Sequence, residues 1–425
     1  MNLIETAIKI TCEGPICDSC LGRQFAKLST GMTNKERGLA IRTVLLMSAS
    51  ADSQEEGEGR NDGAFENLGL PDEGGCWVCN GLMDEIESWA DKAVMELEKY
   101  DYETFLVGTK ITGLISENEE ILWAESGTRW AEPLKSELNR EVGKLIFERT
   151  GKDVDFERPD IVILLNLEEE RVDLQINSLF IYGRYRKLIR GIPQTRWFCR
   201  ECGGSGCDSC GGTGKRYKES VEELISWPSL AEFKGSDASL HGAGREDIDA
   251  LMLGTGRPFI LEIKEPTLRE IDLSELQRKI DEECDGKIEV MGLNYTNREV
   301  VGRIKSVKGD KVYKARVVVD GAIEKERLNI ALAKLEGEIE QKTPIRVLHR
   351  RSDLLRKRNV HKVRLISLDG GTAEIEINCE GGLYVKELMS GDEGRTDPSL
   401  AGLLDMDVKV SELDVIDVKI DIGVI

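Results

Sequence analysis

Histidine is nearly missing: the 425 residues include three, His241, His349 and His361, and they are scattered. No Ser-His-Asp arrangement can be proposed from them, and each reads as a polar loop or groove residue. Long hydrophobic runs are lacking too. The longest, around Ile161–Leu165, falls far short of the roughly 20 apolar residues a spanning helix needs. Met1 to Ile10, with Glu5 and Lys9 among apolar residues, has neither a basic start nor a long apolar core, so the expectation is no secretory signal and a cytoplasmic location. No glycine-rich phosphate loop stands between a strand and a helix, which leaves organic nucleotide cofactors unsupported. Positive charge is in deficit as well, 58 Lys and Arg against 79 Asp and Glu for a net charge of −21. Taken as a sum, that argues against a nucleic-acid partner, because phosphates are bound by Lys and Arg in number.

Distribution matters more than the sum. Arg184, Arg186, Lys187, Arg190, Arg196 and Arg200 form a run with no acid, interleaved with Tyr185, Trp197 and Phe198, and between Lys342 and Arg364 nine basic residues face Asp353 alone. Two basic islands in an acidic chain have the pattern of a nucleic-acid footprint whose remaining surface repels wrong contacts. With 40% hydrophobic and 32% charged residues, the chain reads as globular. Its length predicts two or three domains, each able to bury a core.

Eleven cysteines are present, and nine fall in two clusters built on Cys-x-x-Cys pairs. Such clusters in a cytosolic protein read as metal sites rather than disulfides. The first joins Cys17 and Cys20 to Cys76 and Cys79, with Cys12 as an odd fifth. Four thiolates of this kind hold zinc in a closed structural site. Closing the intervening loop costs roughly 3–4 kcal/mol of chain entropy, against about 10–16 kcal/mol from structural zinc, so the metal wins. That loop, Ala51–Gly75, carries eight acids and one Arg and reads as a flexible acidic insertion. The second cluster, Cys199, Cys202, Cys207 and Cys210, is packed with glycines because two knuckles around one ion demand left-handed backbone and close approach. Its tandem Cys-x-x-Cys-x-Gly-x-Gly wording is similar to the zinc repeats of DnaJ-type co-chaperones, which supplies a rival reading as a protein-binding module. Cys284 and Cys379 are assigned no role.

The apolar stripe Ile86, Ala90, Val94 and Leu97 predicts a helix within Asp84–Tyr100, and a second helix is expected over Ser136–Thr150. Strands are expected at Asp160–Leu167, Val172–Ile176 and Leu179–Tyr182. The passage from Glu141 to Arg186, with Pro159-Asp160 and Gly183-Arg184-Tyr185, resembles a THUMP RNA-binding domain. Gly191 and Pro193 mark a boundary near 190–195. Beyond Ser220, strands at Phe259–Ile263, Lys287–Val290, Tyr313–Val319 and Val363–Ile366 alternate with helices at Leu273–Glu283 and Leu328–Leu335. The fold class expected is α+β: residues 1–100 zinc-binding with the insertion near 51–75, residues 101–190 THUMP-like, and residues 191–425 a catalytic domain with a mixed or antiparallel sheet and the four-cysteine knuckle at 199–210.

Gly244-Arg245-Glu246-Asp247 opens the most informative stretch, an acidic loop flanked by glycines that feeds the apolar strand Phe259–Ile263. That is how a reactive carboxylate is displayed; a solvated turn is the bland reading of the same residues. The element resembles the catalytic Gly-Arg-x-Asp of pseudouridine synthases. The resemblance extends in order along the chain through Arg184-Tyr185-x-Lys187, Pro193-Gln194-Thr195-x-Trp197, Ser220–Ile225, Lys342-Thr343-Pro344-x-Arg346 to Arg351, Gly382-x-Tyr384-x-Lys386-Glu387 and Gly391-Asp392-x-Gly394-Arg395-Thr396. On these residues the chain resembles the Pus-ten family of tRNA pseudouridine synthases. It departs at Leu383, where the family usually has Thr, and at Ser390, where it often has His.

The resemblance implies isomerisation of uridines 54 and 55 in the tRNA T loop, with no organic cofactor, structural zinc, tRNA as partner, no membrane and no obligate protein partner. It makes Asp247 the catalytic residue, with Asp249 as runner-up; attack on ribose or base and abstraction of a sugar proton are both compatible with it. It makes Lys386 the cation that keeps the acid ionised, Tyr313 the ring that stacks on the target uracil, Tyr384 a substrate-binding partner and Arg245 a residue that pairs with phosphate or helps extrude the base. The rivals are a non-catalytic zinc-containing tRNA-binding protein and the DnaJ-like chaperone. A THUMP-linked thiouridine synthetase or methyltransferase is weaker, since neither an ATP-pyrophosphatase loop nor a methyl-donor motif occurs.

Overall fold

The structure, a computed structural model, describes residues 2–55, 75–111, 113–127, 129–307 and 309–420, so nearly all of the acidic insertion lies outside the described residues. The chain divides into two compact units, Met1–Asn177 and Ser178–Ile425. Among the described residues no helix is long and apolar enough to cross a membrane.

In the first unit the striped segment forms the helix Ile86–Leu97, which buries Trp89, Ala90, Ala93 and Leu97. The helix Leu134–Thr150 ends where Gly151 turns left-handed at φ 69°, a conformation that costs glycine little. Helices pack with a four-stranded sheet ordered β2-β1-β3-β4, in which β1 (Thr104–Lys110) runs parallel to β2 (Asp153–Val154) and β3 (Ile161–Asn166), and β3 is antiparallel to β4 (Arg171–Ile176). The first Cys-x-x-Cys pair is set at a helix start. Cys17 begins the helix Asp18–Arg23 and accepts the Cys20 N–H on its sulfur at 3.4 Å. That helix lies so close to the helix Asn34–Glu55 that a Cβ on Gly38 would sit 1.9 Å from the Asp18 carbonyl oxygen.

The second unit is built on a ten-stranded sheet ordered β13-β10-β11-β12-β9-β14-β7-β5-β8, with β6 also on β7. Its strands are β5 (Leu179–Lys187), β6 (Asp237–Gly242), β7 (Met252–Lys264), β8 (Ile288–Thr296), β9 (Asp310–Val319), β10 (Gly337–Gln341), β11 (Arg356–Asp369), β12 (Thr372–Cys379), β13 (Thr396–Asp397) and β14 (Val408–Lys419). All pairings are antiparallel except β14 with β7, so the sheet is mixed but mainly antiparallel, as the α+β reading expected. One placement differs from the sequence reading. The strand expected at Leu179–Tyr182 falls within the THUMP-like part that the sequence reading ends at residue 190, whereas β5, which contains it, sits between β7 and β8. Alternation made it a strand, and the burial of Phe180, Ile181 and Tyr185 in the second unit's core decides which sheet takes it.

Register positions the site. Val415 of β14 pairs with Tyr313 of β9 on one side and Met252 of β7 on the other. The row therefore carries Tyr313 toward the start of β7, where the Gly-Arg-Glu-Asp loop ends. Two apolar clusters fill this unit, and Tyr313 packs partly against both.

Candidate active site

Between β6 and β7 the chain leaves the sheet through Gly244, left-handed at φ 81°. The loop that follows is fixed mostly through its backbone. Arg257 donates to the Ala243 carbonyl at 2.8 Å, Gln194 to the Gly244 carbonyl at 3.0 Å, and Arg190 to the Asp249 carbonyl at 2.6 Å. The Lys187 ammonium, fully buried, donates to the carbonyls of Ile192, Asp247 and Ile248 at 3.1, 3.1 and 3.2 Å. Burial pushes its pKa down, and three carbonyl acceptors match its three donors. Glu246 points into the core, where Arg257 meets it at 2.7 Å and the Tyr185 hydroxyl donates to it at 2.9 Å.

This anchoring leaves the next side chain, Asp247, half exposed, with Lys386 Nζ 3.2 Å away and Arg346 at 3.8 Å. The same ammonium reaches Asp249 at 3.2 Å. Burial would raise the Asp249 carboxyl, but the Lys386 charge and hydrogen bond outweigh it and hold the carboxyl below its usual range. Lys386 lies in the first turn of the helix Val385–Ser390, whose N-cap is Tyr384. Gln341 clamps Tyr384 by bonding both its N–H and its C=O at 2.9 Å, and Arg351 donates to the Tyr384 hydroxyl at 3.0 Å.

These groups line one cleft of about 640 Å³ that also takes in Trp197, Arg245 and Tyr313. Tyr313 is half-buried there and burial raises its phenol pKa. The five residues singled out from the sequence, Arg245, Asp247, Tyr313, Tyr384 and Lys386, thus share one cavity. Leu383, the departure from Thr, is buried in the cleft wall. Sequence reasoning missed the buried Lys187, Glu246 and Arg257, and missed Arg346 with its partner Glu387 at 2.6 Å. Arg346 and Glu387 sat inside quoted motifs, but nothing in their spacing tied them to each other.

The basic islands divide differently from the sequence expectation. Arg184 is spent on the carbonyls of Thr255, Gly256 and Val418, Arg186 on Gly254 and Glu289, and Arg190 on Asp414. In the second island Lys357 pairs with Glu338 at 2.8 Å and Glu340 at 2.9 Å. Arg351 is exposed and keeps donors for a phosphate. Arg351→Ala should therefore weaken tRNA binding and reduce the salt slope by about 1, whereas Lys357→Ala should leave that slope unchanged. Titration of affinity against salt checks both, and a Lys357 slope change equal to that of Arg351 would restore the whole island as footprint.

Both cysteine sets converge. The sulfurs of Cys17, Cys20, Cys76 and Cys79 lie within 4.8 Å of one another, as do those of Cys199, Cys202, Cys207 and Cys210. The sulfurs of Cys17 and Cys79 are 3.9 Å apart, and three pairs in the second set 3.8, 3.9 and 3.7 Å. A tetrahedron with zinc–sulfur bonds near 2.3 Å has edges of about 3.8 Å. Backbone N–H groups of Gly206, Cys207 and Gly214 donate to knuckle sulfurs, as thiolates require. Gly214 cannot be replaced here, since its Cβ would stand 2.2 Å from the Gly204 carbonyl oxygen.

Comparison with known proteins gives matches along the chain. A family model described as Pus10, C-terminal, matches residues 180–419, and one described as Pus10 THUMP domain, archaeal, matches residues 89–166. A curated tRNA pseudouridine synthase Pus10 from Methanothrix thermoacetophila is 50% identical, over 98% of this chain and 94% of its own. The protein of the same name from Halorubrum lacusprofundi is 45% identical over 99% and 97%, and that from Pyrococcus furiosus 37% identical over 99% of each.

Proposed function

The chain belongs to the Pus10 family of tRNA pseudouridine synthases, and we propose that Asp247 is the carboxylate with which it isomerises uridines 54 and 55 of the tRNA T loop. The observation that carries this reading is the Asp247 carboxylate, on a loop anchored by its own backbone, 3.2 Å from Lys386 in a cleft shared with Tyr313 and Tyr384. Family membership makes the protein an RNA pseudouridine synthase, and the chaperone and non-catalytic readings of the same residues give way. A cytoplasmic location goes with the tRNA substrate.

The reaction is balanced without oxidant or reductant. The bond from uracil N1 to ribose C1′ breaks, the base turns, C5 bonds to C1′, the C5 hydrogen leaves as a proton and N1 takes one up. Asp247 acts at the sugar side, by attack or by proton abstraction, with the Lys386 ammonium 3.2 Å from its carboxylate. Tyr313 offers a face to the extruded uracil, an interaction worth roughly 1–3 kcal/mol, and Arg245 pairs with a phosphate. Wild type should release tritium from uracil C5 of T-loop tRNA, and replacing either uridine by cytidine should remove one of the two equivalents. Unchanged release from both replacements would move the target elsewhere in the RNA.

Both four-cysteine sets are structural zinc sites in this reading, each closed by its four thiolates with no position left for substrate. Metal analysis should find two zinc ions per chain, and chelation should impair folding or tRNA docking rather than the chemical step. No zinc, or iron with visible absorption, would overturn the assignment.

A further inference from the structure

We propose that Trp197, with Arg245 and Arg216 beside it, forms a stacking subsite for an unpaired RNA base next to the nucleotide being modified. The inference rests on the reading of the cleft as a uridine site. Trp197 lines that cleft and also belongs to the second knuckle: its carbonyl accepts the Arg216 N–H at 2.9 Å, and Phe198 bridges Lys215. The Arg245 guanidinium carbon lies 5.0 Å from the centre of the Trp197 ring system and that of Arg216 lies 5.1 Å from it. Tyr217 meets the indole edge-on at 5.6 Å.

Charge accounting leaves these two arginines, like Arg351, without a carboxylate partner among the described residues. Arg186, Arg190, Arg346 and Lys357 are all committed to carboxylates. Arg216 and Arg245 are exposed, and neither is ion-paired among the described residues. An indole with two uncommitted guanidiniums at the mouth of a cleft fits a nucleotide, because the ring rewards a base and the cations reward its phosphates. Extruding a uridine also takes a stacking partner from each neighbouring base. Trp197, on the same cleft as Asp247, supplies a replacement where one is needed. The second knuckle then does more than stabilise the fold: its four cysteines flank the bridge of Phe198 to Lys215, next to which Trp197 and Arg216 stand.

Affinities of the full-length, zinc-loaded protein for intact tRNA, and for tRNA made abasic at each nucleotide flanking the target, test this directly. In wild type one abasic position should weaken binding roughly 5- to 150-fold, the range for losing a base from an aromatic ring. Trp197→Leu should weaken intact tRNA by a similar factor and then show no further loss on the abasic RNA, while Trp197→Phe should keep the abasic penalty. Zinc content of two per chain certifies that the variants keep both knuckles. Should Trp197→Leu lose zinc, Trp197→Met decides, and it must shrink the abasic penalty. A penalty as large in Trp197→Leu or Trp197→Met as in wild type overturns the subsite while tritium release leaves the enzyme standing. Failure of wild type to release tritium overturns the functional reading beneath it.

Discussion

Replacing Asp247 by asparagine should lower tritium release from uracil C5 by at least about 10³-fold, the scale on which losing a group that acts at the reacting atoms is felt. Binding of tRNA should stay within a few-fold of wild type. Asparagine keeps the volume and removes only the charge, and the loop need not move, because Lys187 holds it through the Asp247 and Ile248 carbonyls and Glu246 through its buried partners. Asp249→Asn is the matched control. Its carboxylate shares the same ammonium at 3.2 Å but its side chain is far more exposed, 70% against 43% for Asp247, so its loss should cost under about tenfold, on the scale of a solvated ion pair. Full release by Asp247→Asn with none by Asp249→Asn would exchange the two roles.

What the sequence made legible here is chemistry carried by local wording. Gly-Arg-Glu-Asp and Gly-Leu-Tyr-Val-Lys each hold a candidate residue in a short frame, and the fold gathers both at one cleft with Tyr313. The helix 86–97 was legible for a similar reason, since an apolar stripe is a local property. What was not legible depends on partners distant in the chain. Lys187 looked like part of a phosphate-binding run, yet its ammonium is buried by carbonyls from residues 192, 247 and 248. No count of charges distinguishes that from a solvated lysine. Arg184 was misread in the same way, its guanidinium being spent on the β7 and β14 backbone. β5 shows the parallel limit for a strand: alternation gives the two faces, and only the packed core says whose sheet it enters.

Breaking the Glu246–Arg257 pair should be the largest single loss of stability in the second unit. The two side chains are 0% and 1% exposed, so neither can be hydrated when its partner is removed. Arg257→Leu leaves a buried carboxylate with, among the described residues, only the Tyr185 hydroxyl to satisfy it, and Glu246→Gln leaves a buried guanidinium facing neutral acceptors. Each should cost about 3–5 kcal/mol, or roughly 6–20 °C in Tm for a unit of this size. The double variant Glu246→Leu with Arg257→Leu should be more stable than either single one, because no uncompensated charge remains and apolar side chains fill the space. It should not recover activity, since the Ala243 carbonyl has lost its donor and the residue preceding Asp247 its anchor. Thermal unfolding and tritium release measured well below the lower Tm separate the two effects. A single variant within about 1 kcal/mol of wild type would mean the pair is merely accommodated, whereas a fully active double variant would show that Lys187 and Gln194 suffice to hold the loop in place.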